Sequence, residues 1–229
     1  MSAPANLKIK VNNAESVTAM LYPAAKSDRA GMTITLGHGA GANQLSAFMR
    51  MFATGLAARG LDVLTFNFLY SEQKRRLPDS MERLESCYRA VIEAALNHRR
   101  LKTNQLLIGG KSMGGRIASQ VAAANDENIS GLVFLGYPLH PPGRPDKLRA
   151  EHLKNIRAPM LFVQGSRDAF GTGEEVRAII KKLHLPATLC AVEGGDHSLR
   201  VPKSAGVAQE AVYENALDEI ARWLRSSLD

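Results

Sequence analysis

Two cysteines in 229 residues, Cys87 and Cys190, are too few for a disulfide framework or a cysteine-ligated metal centre. Cys87 falls on the apolar face of a predicted helix and Cys190 in the middle of a predicted strand, so both read as core residues. No two histidines stand at metal-ligand spacing, and neither a metal nor another cofactor is expected. No apolar run approaches the length of a membrane span, and Met1 to Lys10 lacks the apolar stretch of a secretion signal. These absences predict a cytoplasmic chain with no membrane partner. Acidic residues are outnumbered, 22 against 29 basic ones, for a net charge of +7. The basic clusters Lys74-Arg75-Arg76, Arg99-Arg100-Lys102 and Lys181-Lys182 are scattered and carry no interleaved aromatics. They read as solvated surface rather than a nucleic-acid interface, although an acidic substrate or partner is compatible with the charge.

What is present is ordinary for a globular protein: 45% hydrophobic and 22% charged residues. The length suits one domain, residues 1–229, with a substantial core; no repeat, low-complexity tract or domain boundary interrupts it. Leu7–Val11 and Val17–Tyr22 predict an antiparallel hairpin turning at Asn12-Asn13. Met32–Leu36 predicts a third strand, running into the glycine-rich loop Gly37-His38-Gly39-Ala40-Gly41-Ala42. A helix over about Leu45–Arg59 repeats Phe48, Phe52 and Leu56 and stops at Gly60. The strand Leu61–Phe66 leads to a loop, then to a helix opened by Asp79 and Glu82 as a capping box and carrying Leu84, Cys87, Tyr88, Val91, Ile92 and Ala95. Further strands are predicted at Gln105–Ile108, Gly131–Leu135, Met160–Gln164 and Ala187–Val192. A short helix over Asp146–Leu153, another near Glu174–Leu183 and a final one over about Val207–Leu228 complete the pattern. Two antiparallel strands followed by six interleaved with helices predict a three-layer α/β sandwich around a mostly parallel sheet of about eight strands.

One stretch organises the rest, Gln105-Leu-Leu-Ile-Gly-Gly-Lys-Ser-Met-Gly-Gly-Arg-Ile-Ala-Ser119. A strand, a tight turn and a helix present the pentapeptide Gly110-Lys111-Ser112-Met113-Gly114. A serine exposed above a parallel sheet needs a strained backbone, and its neighbours must lack side chains where helix and strand lie close. The helix N-terminus beneath it favours developing negative charge. Gly110-Lys111-Ser112 also resembles the end of a phosphate-binding loop, but that motif needs glycine where Gln105 stands, and a strand precedes it.

Serine needs a base, and the base an orienting acid. Asp168 just past one strand and His197 in the Gly-Gly loop past the next supply them in the order Ser, Asp, His. Ser112, Asp168 and His197 are therefore the expected catalytic residues. The backbone N–H groups of Ala40 and Met113 are the expected oxyanion hole, with His38 anchoring its loop. Asp196 reads as a surface residue turned away from His197, and Glu193 as a weaker acid candidate. His140 lies in a loop near the site, without a catalytic role, and His98, His152 and His184 read as surface residues.

Five segments carry a family resemblance: Leu36-Gly-His-Gly-Ala-Gly41, Phe66-Asn-Phe-Leu-Tyr70, Gly109-Gly-Lys-Ser-Met-Gly-Gly-Arg116, Leu135-Gly-Tyr-Pro-Leu-His140 and Leu161-Phe-Val-Gln-Gly165. Over nearly its whole length the chain resembles the small dienelactone-hydrolase-like α/β-hydrolases. It resembles most a branch that includes bacterial proteins, a testis-expressed animal protein and a subunit of the NSL histone-acetyltransferase complex. The resemblance implies an α/β-hydrolase fold. Leu69 stands where that branch has proline, which predicts an altered loop near the site. Dienelactone hydrolase resembles a cysteine-nucleophile enzyme, so Ser112 favours an ester hydrolase instead. The expectation is a serine hydrolase cleaving a small carboxylic ester through an acyl-enzyme, with peptidase or thioesterase chemistry as lesser variants. The alternative is a hydrolase-fold interaction protein with an idle site, as the NSL relative suggests. Only a loop and one short helix separate Tyr137 from Arg157, leaving no room for a large cap. Nothing in the pattern specifies an oligomeric state.

Overall fold

The computed structural model describes residues 3–125 and 127–227. Its sheet has eight strands: β1 (Ala5–Lys10), β2 (Ser16–Tyr22), β3 (Met32–Gly37), β4 (Asp62–Phe66), β5 (Gln105–Lys111), β6 (Gly131–Leu135), β7 (Met160–Gly165) and β8 (Ala187–Val192). Their spatial order is β1-β2-β4-β3-β5-β6-β7-β8. β1 and β2 form the expected hairpin, with Asn12 Oδ1 accepting from the Ala14 and Glu15 N–H groups in its turn. β2 meets β4 antiparallel, and every later pairing is parallel.

Six helices dress the sheet: α1 (Ala47–Ala58), α2 (Leu69–Glu72), α3 (Met81–Asn97), α4 (Met113–Ala124), α5 (Gly173–Leu183) and α6 (Gln209–Ser227). Alternation along each central strand feeds two cores, as a pleated strand buried on both faces must. Leu36, Leu107 and Val133 join Phe52 and Leu56 of α1 and Leu217 and Ile220 of α6 on one face. Ile108, Leu132 and Phe134 join Tyr88 of α3, Ile117 of α4 and Val176 of α5 on the other. Among the described residues no helix is long and apolar enough to cross a membrane.

Several expectations are corrected. The capping box at Asp79 does not form: Ser80 is the cap of α3 and makes no side-chain cap bond. Asp79 instead accepts from the Tyr70 N–H at 2.9 Å and pairs with Arg75, tying α3 to α2. A capping box does form at Thr172 and Glu175, opening α5. The short helix expected over Asp146–Leu153 is reduced to its end, a 3-10 turn that begins at Glu151. Ahead of that turn, which runs over Glu151–Asn155, Asp146 pairs with Arg144 and the Arg149 N–H bonds back to Leu139 O at 2.8 Å. Leu228, the expected end of the last helix, lies outside the described residues, and exposed Val207 precedes α6. Leu69 is the first residue of α2 and is buried, a position where proline would forfeit no intrahelical bond, so either residue fits the same backbone. Arg100 is not simply solvated: with Arg29 and Asn104 it satisfies the buried Asp62 carboxylate.

α3 is joined to the middle of the sheet by one hydroxyl. Tyr88 Oη, fully buried, accepts from the Gly109 N–H at 2.9 Å and lies 2.9 and 2.7 Å from the carbonyls of Thr35 and Gly109. Tyr88→Phe keeps the ring but leaves that N–H unsatisfied, a loss of about 1–3 kcal/mol. Chemical denaturation should show that loss with an unchanged m-value; an unaltered midpoint would show that the hydroxyl contributes nothing to stability.

Candidate functional site

The parallel strands end at one edge, and the site lies just beyond them. β5 stops at Lys111, α4 begins at Met113, and Ser112 between them takes φ 51° and ψ −113°. A non-glycine residue held there costs on the order of 1–3 kcal/mol. The turn is over-determined by its surroundings. The Ser112 N–H donates to Leu135 O at 3.1 Å, and Ser112 O accepts from the Arg116 N–H at 3.0 Å. The glycines permit the approach: a Cβ on Gly110 or Gly114 would lie 2.2 or 2.1 Å from Gly37 O.

Asp168 and His197 converge on that serine from the ends of β7 and β8. His197 Nε2 lies 2.8 Å from Ser112 Oγ, and His197 Nδ1 lies 2.8 and 3.0 Å from the two Asp168 oxygens. A carboxylate only accepts, so the proton belongs on Nδ1 and Nε2 is left to accept from the serine hydroxyl. Asp168 is buried and held in turn. Oδ1 accepts from the Phe170 N–H at 2.8 Å and Oδ2 from Gln164 Nε2 at 2.9 Å. The buried Gln164 amide also accepts from the Tyr137 N–H at 2.7 Å, so β7 braces the acid against the loop after β6. The Phe170 ring lies over His197, centroids 4.2 Å apart.

Ala40 and Met113 both border the cavity above Ser112. The Met113 N–H opens α4 and has no intrahelical acceptor. The loop bearing Ala40 is set by His38, whose Nε2 accepts from the Phe68 N–H at 3.2 Å and whose Nδ1 donates to Gly39 O at 2.8 Å. Burial holds the His38 pKa down to about 4, so the ring stays neutral and keeps both roles.

Other candidates lie apart. Asp196 is exposed and accepts from the Ser198 and Arg200 N–H groups. Glu193 accepts from Ser166 and stands away from His197. His140 lies in the loop after β6, as expected, but is buried there; it bonds Pro141 O and Glu175. His152 is likewise not a surface residue. Its Nε2 lies 2.8 Å from buried Ser119 Oγ, and burial, then Arg116, hold its pKa down to about 4.

Sequence reasoning passed over the residues that shape the cavity, which encloses about 490 Å³. Phe48, Met49, Lys111, Arg116, Arg149 and Phe170 line it with Ser112 and His197. Lys111 stood inside the motif, but periodicity could not show its course: Nζ donates to His197 O and sits 5.7 Å above the Phe48 ring. Gln164 stood in a strand pattern as an isolated buried polar residue, the one signal that could have found it.

Lys111 gives this site a measurable pH signature. Burial lowers its pKa to about 8, against the pull of Asp168 and Asp196. The unfolded chain therefore binds more protons between about pH 8 and the ordinary lysine range, and stability should rise with pH across that window. Denaturant titrations should show wild type gaining on Lys111→Met from about pH 8 to 10; a constant difference would mean that Lys111 titrates normally.

A family model described as an alpha/beta hydrolase domain matches residues 30–225. Among solved structures, a dienelactone hydrolase from Anabaena variabilis superposes with a TM-score of 0.75 at 20% identity, covering 99% of each chain. A lidless α/β serine hydrolase from Xanthomonas campestris gives 0.74 at 20% identity, over 97% of this chain and 96% of that one. An alpha-beta serine hydrolase homologue from Coxiella burnetii gives 0.73 at 19%, over 98% and 97%. Such low identities speak to the fold, which these structures share from end to end. With the family match reaching from the residues after the first hairpin to the last turn of α6, the chain belongs to the alpha/beta hydrolase domain family.

Proposed function

We propose that this protein is a serine hydrolase that cleaves a small carboxylic ester through a Ser112-His197-Asp168 triad, making it a carboxylesterase. The observation that carries the reading is the continuous chain of hydrogen bonds from Asp168 through His197 to Ser112 Oγ, ending on a strained turn that faces a cavity. Ser112 Oγ attacks the ester carbonyl carbon as its proton passes to His197 Nε2. The oxyanion of the tetrahedral intermediate accepts from the Met113 and Ala40 N–H groups. The C–O bond then breaks, and the alcohol departs with the proton from His197. Water attacks the acyl-serine, again giving its proton to His197, and the acid leaves as Ser112 recovers its hydrogen. Asp168 holds the imidazole in the tautomer that can accept, and Phe170 and Gln164 hold the pair in place.

The solved relatives, serine hydrolases and a dienelactone hydrolase, support hydrolysis by this chain. Within the family we place it in the branch with the testis-expressed and NSL-complex proteins, on Leu135–His140 and Leu161–Gly165. Those two segments supply Tyr137 and Gln164, the brace behind Asp168. The idle-scaffold reading gains no such support, because a vestigial site has no use for a buried acid with three donors directed at it, from Phe170, Gln164 and His197.

A fluorophosphonate probe should label wild type, and Ser112→Ala should not be labelled; unchanged labelling would remove Ser112 from the mechanism. Asp168→Asn offers His197 a donor in place of an acceptor and favours the unproductive tautomer. The same change in a serine protease costs about 10⁴-fold in kcat. Here esterase kcat should fall at least roughly 10²-fold with the melting transition nearly intact. Hydrolysis at the wild-type rate would reassign the acid.

A further inference from the structure

The cavity over Ser112 is lined by three cationic side chains, Lys111, Arg116 and Arg149, and by no aspartate or glutamate. Lys111 is engaged, its ammonium held by His197 O. The two arginines are not. Elsewhere the arginines facing acids are paired: Arg29 and Arg100 with Asp62, and Arg59 with Glu214 and Asp218. Neither Arg116 nor Arg149 has an ion-pair partner among the described residues, and the buried Arg116 Nε has no hydrogen-bond acceptor. Both border the same cavity, and burial, then the charge of Arg149, holds the Arg116 pKa below its ordinary value. Their backbones are fixed. Arg116 sits on the first turn of α4, bonded to Ser112 O, and Arg149 is tied to the loop after β6 through Leu139 O and the Tyr137 hydroxyl. Two unpaired guanidinium groups on fixed backbones, partly stripped of water, are an unfavourable arrangement until an anion joins them.

We propose that Arg116 and Arg149 form a carboxylate-binding subsite, so that the ester cleaved at Ser112 carries a free carboxylate at its far end. The inference rests on the esterase reading for the cleavage, and on the arginines alone for the anion. Planar guanidinium groups suit a planar carboxylate, which each can grip with two N–H donors. Arg116 stands four positions after Ser112, a helical rise of roughly 6 Å, which suits a half-ester of a four- or five-carbon dicarboxylic acid.

Monomethyl glutarate and methyl valerate differ only in a carboxylate replacing a methyl group. Wild type should hydrolyse the first with at least roughly tenfold higher kcat/KM at low salt, and added salt should shrink the ratio. In the Arg116→Gln/Arg149→Gln double variant the ratio should approach one. A ratio near or below one in wild type overturns the proposal, and so does a wild-type ratio in the double variant. Calorimetry on Ser112→Ala tests the subsite without turnover. Monomethyl glutarate should bind, and binding should weaken at least roughly tenfold when both arginines are replaced. Inorganic phosphate binding more tightly than monomethyl glutarate would overturn the carboxylate assignment. If monomethyl glutarate binds through the arginines but no ester is cleaved, the esterase reading fails and the subsite stands. If methyl valerate is cleaved but monomethyl glutarate neither binds nor reacts faster, the subsite fails and the esterase stands.

Discussion

Everything at this site depends on how closely three backbones meet where β3, β5 and α4 converge. Gly37 of β3 faces Gly110 of β5 in the parallel register, and Gly114 of α4 lies against the same carbonyl. Side chains at 110 or 114 would collide with backbone rather than with a side chain that could turn aside. Only with that contact in place can Ser112 sit at positive φ with its hydroxyl above the sheet edge. The strain at one residue is small beside the packing of the two cores that enclose it, and the cores hold it there.

That geometry also explains which parts of the molecule were legible in the sequence. Short apolar runs located all eight strands described, because a sheet whose central strands are buried on both faces leaves continuous apolar stretches bounded by glycine or polar turns. The Gly-x-Ser-x-Gly turn, and the positions of Asp168 and His197 past later strands, followed from local pattern and chain order, and the structure brings these three side chains into hydrogen-bond contact. What escaped was set by tertiary partners. Asp79 looks like a helix cap, yet the Tyr70 N–H of α2 claims its carboxylate. Asp146–Leu153 has helical composition, but its backbone bonds to the chain leaving β6. His152 and Arg100 look like surface residues until Ser119 and Asp62 are found beside them.

The electrostatics divide into two zones. Behind His197 lies a buried, fully bonded acid, braced by a glutamine of β7 that also bonds the loop after β6. In front lies a cavity whose charged lining is entirely cationic. An oxyanion forming at Ser112 would gain from both the α4 N-terminus and that positive field. The neutral His38 beneath the opposing loop adds no charge, so its contribution is to shape the backbone that carries Ala40.

The central claim is that Ser112 becomes acylated, and mass spectrometry of rapidly quenched enzyme tests it most directly. Mixing wild type with excess p-nitrophenyl acetate should release a burst approaching one equivalent of p-nitrophenol, with one acetyl group on the peptide containing Ser112. An acetyl group on Lys111 or another residue, or steady turnover with no adduct on Ser112 at any quench time, would contradict the account.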